Sequence, residues 1–187
     1  GNRFWIRPDW VEDAEVPAGK IELVLNPGQA FGTGDHPTTR LCIELLEEAD
    51  LQGKSLADIG CGSGILTLVA HKLGAKDMVA VDNDVPSIEA TTENLGRHQV
   101  PAKILLGNGF AALEGAMFDV VVSNIISATL IRLAPEAAAT VRPGGLWITS
   151  GIILANWPDV QAAAERNGFT LVEKREEGDW VGATFRH

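Results

Sequence analysis

Residues 55–70, Ser55-Leu-Ala-Asp-Ile-Gly60-Cys-Gly62-Ser-Gly64-Ile-Leu-Thr-Leu-Val-Ala70, constrain this chain more than any other stretch. An apolar run ends in glycine at every second position, Gly60, Gly62 and Gly64, and a helical pattern begins at once. That pattern predicts a strand, a tight turn and a helix, with main chain rather than side chain presented at the turn. Glycine is needed where φ turns positive or where a ligand must lie against the backbone. The helix start behind the turn is expected to offer free N–H groups and a positive dipole end. A carboxylate- or nucleotide-bearing molecule is the expected occupant.

The spacing narrows the choice. A dinucleotide fingerprint reads Gly-x-Gly-x-x-Gly, and here neither Ile65 nor Leu66 supplies the late glycine. The Gly-Lys-Ser/Thr of a Walker loop is absent. Downstream, Met78-Val79-Ala80-Val81-Asp82 ends an apolar strand in a carboxylate, 22 positions after Gly60. A ribose-hydroxyl acceptor on the second strand of a mononucleotide-binding unit is expected ~20 positions on. Gly-x-Gly-x-Gly followed by this acid resembles the S-adenosylmethionine site of class I methyltransferases. The alternative is a glycine-rich turn with Asp82 merely ending a strand; agreement of two features at the right separation weighs against it.

Composition excludes several classes. The 187 residues suffice for one domain with a sizeable core, and 45% of them are hydrophobic. No apolar stretch approaches the ~20 residues that span a membrane, and no secretory pattern opens the chain, so no membrane association is expected. Cys42 and Cys61 are isolated and have no metal-ligand companions, which fits a reduced, cytoplasmic protein without a metal. A net charge of -10 argues against direct grip on nucleic acid and is compatible with steering a basic segment.

Taken in order, residues 1–19 carry Phe4, Trp5 and Trp10 between prolines and read as a short strand at 3–7 followed by a linker or N-terminal extension. A strand is expected at 20–25. Pro27-Gly-Gln-Ala-Phe31-Gly32-Thr33-Gly34-Asp35-His36 marks ligand-approaching backbone, and Pro37 opens a helix to about Ala49 with Asp35 or His36 near its cap. Thr38 and Thr39 then stand in the first turn, where hydroxyls and free N–H groups can hold a carboxylate. Beyond the glycine turn we expect helices at 63–73, 86–98, 127–141 and 156–167. Strands are expected at 77–82, 102–106, 118–124, 146–150, 169–174 and 180–186, with Arg142-Pro143-Gly144-Gly145 as a connector. Glu177-Gly178-Asp179 reads as a hairpin turn. The alternation implies a Rossmann-like α/β fold: a doubly wound, mostly parallel, seven-stranded sheet with an antiparallel last strand over residues 20–187. Ligand binding belongs at the carboxyl ends of the strands, where Gly60, Asp82 and Asn124 fall.

Pro27-Gly-Gln-Ala-Phe-Gly-Thr-Gly-Asp-His-Pro-Thr-Thr39, Asp58-Ile-Gly-Cys-Gly-Ser-Gly64, Val81-Asp82 and Asn124-Ile-Ile together resemble the bacterial ribosomal protein L11 methyltransferase family, PrmA. The resemblance covers nearly all of 20–187. It implies transfer of methyl groups from S-adenosyl-L-methionine to lysine ε-amino and N-terminal α-amino groups of a ribosomal protein. Carried over by position, Thr39, Gly60, Asp82 and Asn124 would contact the cofactor, and Asn124 would also face the incoming amine. Phe31, Thr38 and Gly62 are further candidate cofactor contacts. Asn108 is a candidate for the adenine amine, with an ordinary Asn-Gly turn as the equal alternative. Two departures stand out: Ile125-Ile126-Ser127 after Asn124 is a mild change, and nothing before residue 20 is long enough for the family's separate substrate-binding domain. The latter leaves open a stand-alone enzyme for lysines of another protein.

Methyl transfer from a sulfonium needs alignment and a neutral amine rather than a metal or a covalent nucleophile. No His or acid is clearly placed as general base; His36 is the nearest candidate, with a loop-stabilising role favoured. Asn124, in turn, is read either as aligning the amine or as capping the helix from 127. A nucleic-acid amine methyltransferase would show an Asn/Asp-Pro-Pro-aromatic segment where Ile125-Ile126 stands. A small-molecule amine acceptor remains as a further alternative.

Overall fold

A computed structural model describes all of residues 1–187. In chain order it contains β1 (Phe4–Pro8), β2 (Ile21–Leu25), α1 (Pro37–Glu48), β3 (Ser55–Ile59), α2 (Ile65–Lys72), β4 (Lys76–Asp82), α3 (Val85–Arg97), β5 (Ala102–Leu106), β6 (Phe118–Asn124), α4 (Ser127–Thr140), β7 (Val141–Ile153), α5 (Trp157–Arg166), β8 (Thr170–Glu177) and β9 (Trp180–Arg186). Seven strands form one sheet in the order β5-β4-β3-β6-β7-β9-β8. The first five in that order run parallel, and β9 is antiparallel to both β7 and β8.

The sheet's central strand explains the apolar run that opened the sequence. β3 lies between β4 and β6 and is buried at every position, as a parallel strand covered on both faces must be. Its side chains alternate between two cores. Leu56 joins residues of α1, α2 and α3 on one face; Ala57 and Ile59 join α4 and α5 on the other. Gly64 sits at φ +84°, outside the helical range, so α2 begins at Ile65 rather than at 63.

Two stretches differ from the reading above. Residues 1–19 contain more than a strand and a linker: β1 pairs in parallel with β2 over five residues as a separate two-stranded sheet. Phe4 is buried in the α1–α3 core, and the Glu47 carboxylate of α1 accepts from the backbone N–H groups of Asn2 (3.0 Å) and Arg3 (2.9 Å). The fifth strand of the large sheet also starts before its Pro-Gly-Gly run. Val141 pairs with Phe118, the register shifts, and Leu146 resumes opposite Val120. Arg142-Pro143-Gly144-Gly145 is therefore an irregularity within β7, a place where proline's missing donor does no harm. No helix is long and apolar enough to cross a membrane.

Candidate functional site

The carboxyl ends of β3, β4 and β6 open into a cavity of about 520 Å³, inside the ~300–1,000 Å³ range of small-molecule sites. Gly60 and Gly62 line it from the glycine loop, and Asp82 and Asn124 from the ends of β4 and β6. Asn108 lines it from the loop after β5, and Phe31, Thr38 and Thr39 from the segment entering α1. Residues far apart in the chain thus share one space because parallel strands end on the same side of the sheet.

The loop after β3 does not present free amides. Gly60 and Cys61 both donate to the Val81 carbonyl, at 2.8 and 3.0 Å. Gly62 donates to Asp82 Oδ2 (2.9 Å), Ser63 to the Phe31 carbonyl (2.9 Å) and Gly64 to the Cys61 carbonyl (2.8 Å). Five consecutive N–H groups are therefore satisfied inside the protein, which corrects the expectation of an anion seat at this turn. What the loop offers is bare backbone: Gly60 has φ +79° and Gly62 has φ +54°. A Cβ on Gly60 would lie 2.6 Å from Ile125 Cγ2, and one on Gly62 would lie 2.5 Å from the Phe31 carbonyl oxygen. The Gly60 carbonyl accepts no hydrogen bond from the protein and is free to take a donor.

Asp82 is held by two main-chain donors, Gly62 N–H to Oδ2 and Asp84 N–H to Oδ1 at 3.0 Å. Each carboxylate oxygen retains acceptor capacity after one such bond. Asn108 stands before Gly109, whose φ is +57°, and opens a short 3₁₀ turn without capping it through its side chain.

The segment entering α1 is clamped onto the glycine loop by residues that carried no signal in the sequence. Asn94 of α3 is fully buried, accepts from Asn26 N–H (2.8 Å), and donates to the carbonyls of Asn26 (2.9 Å) and Ser63 (2.8 Å). Ser63 Oγ donates to the Gly32 carbonyl, and Thr91 Oγ1 to the Gly62 carbonyl (2.8 Å). Gly34 sits at φ +93°, and a Cβ there would press on Ile6 Cδ1 of β1 at 3.0 Å. Asn94 shares the buried face of α3 with Ala90, Thr91 and Leu95, and nothing in its spacing identified the partners.

His36 caps α1. Its Nδ1 accepts from Thr38 N–H (3.2 Å) and contacts Thr38 Oγ1 (2.8 Å), while Thr39 N–H and Arg40 N–H go to the His36 carbonyl. Nδ1 is thus an acceptor, and the favoured structural role for His36 is the one found. The same bonds consume the first-turn amides expected to be free at Thr38 and Thr39, so these residues have only hydroxyls to give a ligand. Asn124 does not cap α4: the cap position is Ile126, with no side-chain bond. Instead Asn124 Nδ2 faces Thr39 Oγ1 at 3.4 Å, leaving Oδ1 without a protein donor.

Beneath the loop, Asp58 is buried and donates nothing to the cavity wall. Its Oδ2 accepts from Thr67 Oγ1 (2.8 Å), its Oδ1 has no partner, and burial pushes its pKa up to about 7. Cys61 Sγ lies 3.3 Å from Thr91 Oγ1, and burial raises its thiol pKa as it does that of Cys42. No group of three or more His, Cys, Asp or Glu could hold a metal ion.

A sheet of this order with a glycine turn after its first strand and a carboxylate ending its second defines the Rossmann-like class I methyltransferase fold. Comparison with known proteins makes the assignment narrower. The model of the ribosomal protein L11 methyltransferase (PrmA) family matches residues 1–187, and the chain belongs to that family. It is 44% identical over 182 residues to the ribosomal protein L11 methyltransferase of Azotobacter vinelandii, covering 97% of this chain and 61% of that protein. The corresponding protein of Chloroflexus aurantiacus is 37% identical, with 100% and 64% covered. The chain thus spans about three fifths of the length of these relatives. Among solved structures, ribosomal protein L11 methylase from Lactobacillus delbrueckii subsp. bulgaricus superposes with a TM-score of 0.89 at 32% identity, covering 96% of this chain and 92% of that one.

Proposed function

We propose that this chain is the S-adenosylmethionine-dependent catalytic domain of a protein N-methyltransferase that modifies lysine ε-amino and N-terminal α-amino groups of ribosomal protein L11. Family membership and the methyltransferase names of its relatives support the reaction class. Asn124 carries the reading: it ends β6 inside the cavity, caps nothing, and keeps its carbonyl oxygen free in front of the glycine loop.

The residues fit the cofactor. A loop with no free amide but an open carbonyl at Gly60 suits a ligand that brings N–H donors and positive charge rather than phosphate. Asp82, pinned by two backbone donors, can accept from both ribose hydroxyls, and Asn108 is available at the base end. The hydroxyls of Thr38 and Thr39 are placed for the amino-acid end, with Phe31 and Gly62 forming the adjacent wall. The bound cofactor supplies a methyl group already activated on a sulfonium.

Asn124 Oδ1 accepts an N–H of the acceptor amine and aims its lone pair. Lysine titrates near ~10.4, so the neutral amine must be favoured locally; desolvation of the amine on entering the cavity works in that direction, while Asn124 supplies alignment. His36 is engaged as a cap through Nδ1, and the proton of the acceptor leaves to solvent. The net charge of -10 supports a basic protein segment as partner.

Incubation with isotope-labelled S-adenosylmethionine and cell extract, followed by mass spectrometry, tests the proposal. Label on lysine or N-terminal amines of ribosomal protein L11 is expected. Label confined to another protein's lysines selects the stand-alone alternative, and label confined to small molecules or nucleic acid overturns the reading.

A further inference from the structure

We infer that Phe31, His36 and Trp180 form an aromatic corner at the acceptor end of the cavity that binds the methylated ammonium group of the product. The inference rests on the amine-methylation reading above and names the ligand class of that site's second half.

The three rings come from three separate parts of the chain: the segment entering α1, the cap of α1, and the first residue of β9. His36 meets Phe31 with ring centroids 5.3 Å apart at 63°, and Trp180 at 4.9 Å and 71°. Edge-to-face packing of this kind covers one face of one ring in each pair and leaves the remaining faces available, whereas a stack covers a face of both rings. All three line the cavity that holds Asn124. Across the sheet the order on this side is Asp82 ending β4, Gly60 just after β3, Asn124 ending β6, Gly151 within β7 and then Trp180 opening β9. With strands ~4.8 Å apart, Trp180 is displaced sideways by two strands, ~10 Å, on the side away from Asp82, and its partner Ile153 stands three residues further along β7 than Ser150, the partner of Asn124.

Core packing does not account for these rings. The structural aromatics Trp147, Trp157, Phe169 and Phe185 are all buried against one another in the α4–α5 core. Phe31, by contrast, is 56% exposed, on a loop whose backbone is tied down by Ser63 and Asn94. An aromatic held in place yet left in solvent costs apolar exposure, which a ligand would relieve.

A cation fits better than an apolar guest. Ring faces are negative, and a quaternary ammonium is the cation most readily stripped of water against them. His36 Nδ1 is engaged by the Thr38 N–H at the helix start. Asp35 and Asp179 adjoin the corner in sequence and engage in no ion pair. Arg40, the nearest side-chain cation in sequence to His36, is held by Glu177. The protein's own cation–π contact, Lys174 over Trp157, is elsewhere, on the α5 side of the sheet. Each methyl transfer forms an N–C bond with the amine lone pair, and the C–S electrons return to sulfur. The ammonium produced must lose a proton to water before it can react again. A corner that prefers methylated cations therefore retains partly methylated acceptor and favours its further methylation.

The test uses the full chain with S-adenosylhomocysteine bound. Calorimetry compares N-acetyl-Nε-trimethyllysine amide with its neutral isostere, in which carbon replaces the quaternary nitrogen. We expect about a fivefold preference for the cation, in the range of a partly exposed cation–π contact. Trp180→Leu and Phe31→Leu should each reduce that preference, and Trp180→Phe should largely keep it. Phe31 is exposed, so its variant remains informative if Trp180→Leu does not fold. Equal affinity for the two probes, no binding of either, or a preference indifferent to Trp180→Leu and Phe31→Leu overturns the inference. Failure to bind S-adenosylhomocysteine at all would instead strike the proposed function.

Discussion

The two ends of the cavity are built in opposite ways. At the Asp82 end every amide of the loop is already taken inside the protein: five successive N–H groups have internal acceptors, and the carboxylate itself is held by two of the protein's own donors. At the Trp180 end the wall is made of side chains, one of them more than half exposed, meeting edge to edge. Backbone preorganised by hydrogen bonds suits a ligand of constant shape, because little ordering remains to be done on binding. A side-chain wall suits an acceptor whose nitrogen changes in size and charge. Asn124 stands between the two, with its Nδ2 on Thr39 and its Oδ1 uncommitted.

The largest effect tests the foundation of the rigid end. Asp58 has its pKa raised to about 7 by burial, above the unfolded value of ~3.9. Between those values the native state keeps a proton that the unfolded chain has released, so this group lowers stability as pH rises from about 4 to about 7. At ~1.36 kcal/mol per unit the loss is of order 4 kcal/mol. Asp58→Asn should therefore gain on the native protein steadily across that window in denaturant melts. The difference between the two proteins is the quantity to measure, because Asp119, lowered chiefly by the Ser55 backbone N–H, works in the opposite sense at lower pH. Parallel pH profiles would show that Asp58 ionises as freely in the folded protein as outside it.

Next comes the residue at the boundary. Asn124→Ala should cut turnover on the order of a hundredfold by removing the acceptor that aims the amine. Cofactor affinity and melting temperature should move little, since α4 is capped without it. Loss of cofactor binding in step with turnover would place Asn124 in the rigid end instead. The smallest effect belongs to Asp82→Ala, expected to weaken S-adenosylmethionine about tenfold in calorimetry, as loss of a charged acceptor does. The acceptor's apparent affinity at saturating cofactor should be unchanged; a parallel fall would join the two ends into one unit.

The rigid end was legible in the sequence and the other was not, for a physical reason. Gly60, Gly62 and Gly64, the strand-end Asp82 and the strand-end Asn124 all sit where local period and backbone geometry leave a mark, so alternation and glycine spacing located them. The hydrogen bonds of that end were misjudged, because free amides at a helix start are the default and their capture by Val81, Asp82 and Phe31 is long-range. Asn94 left no mark, since its partners lie 68 and 31 positions away. Trp180 could not be connected with His36 either: the hairpin at 177–179 was evident, but the register that brings β9 beside β7 is set by packing. The pairing of β1 with β2 escaped for the same reason, since parallel strands joined by an irregular loop carry no turn signal.

Cys61 gives the glycine loop a practical consequence. The residue is 5% exposed, its sulfur sits against Thr91, and burial disfavours the thiolate, so alkylating reagents and peroxide meet a poor and little-accessible nucleophile. The rate of labelling at this one thiol is then a clock for how often the loop lifts away from α3, readable without introducing any probe.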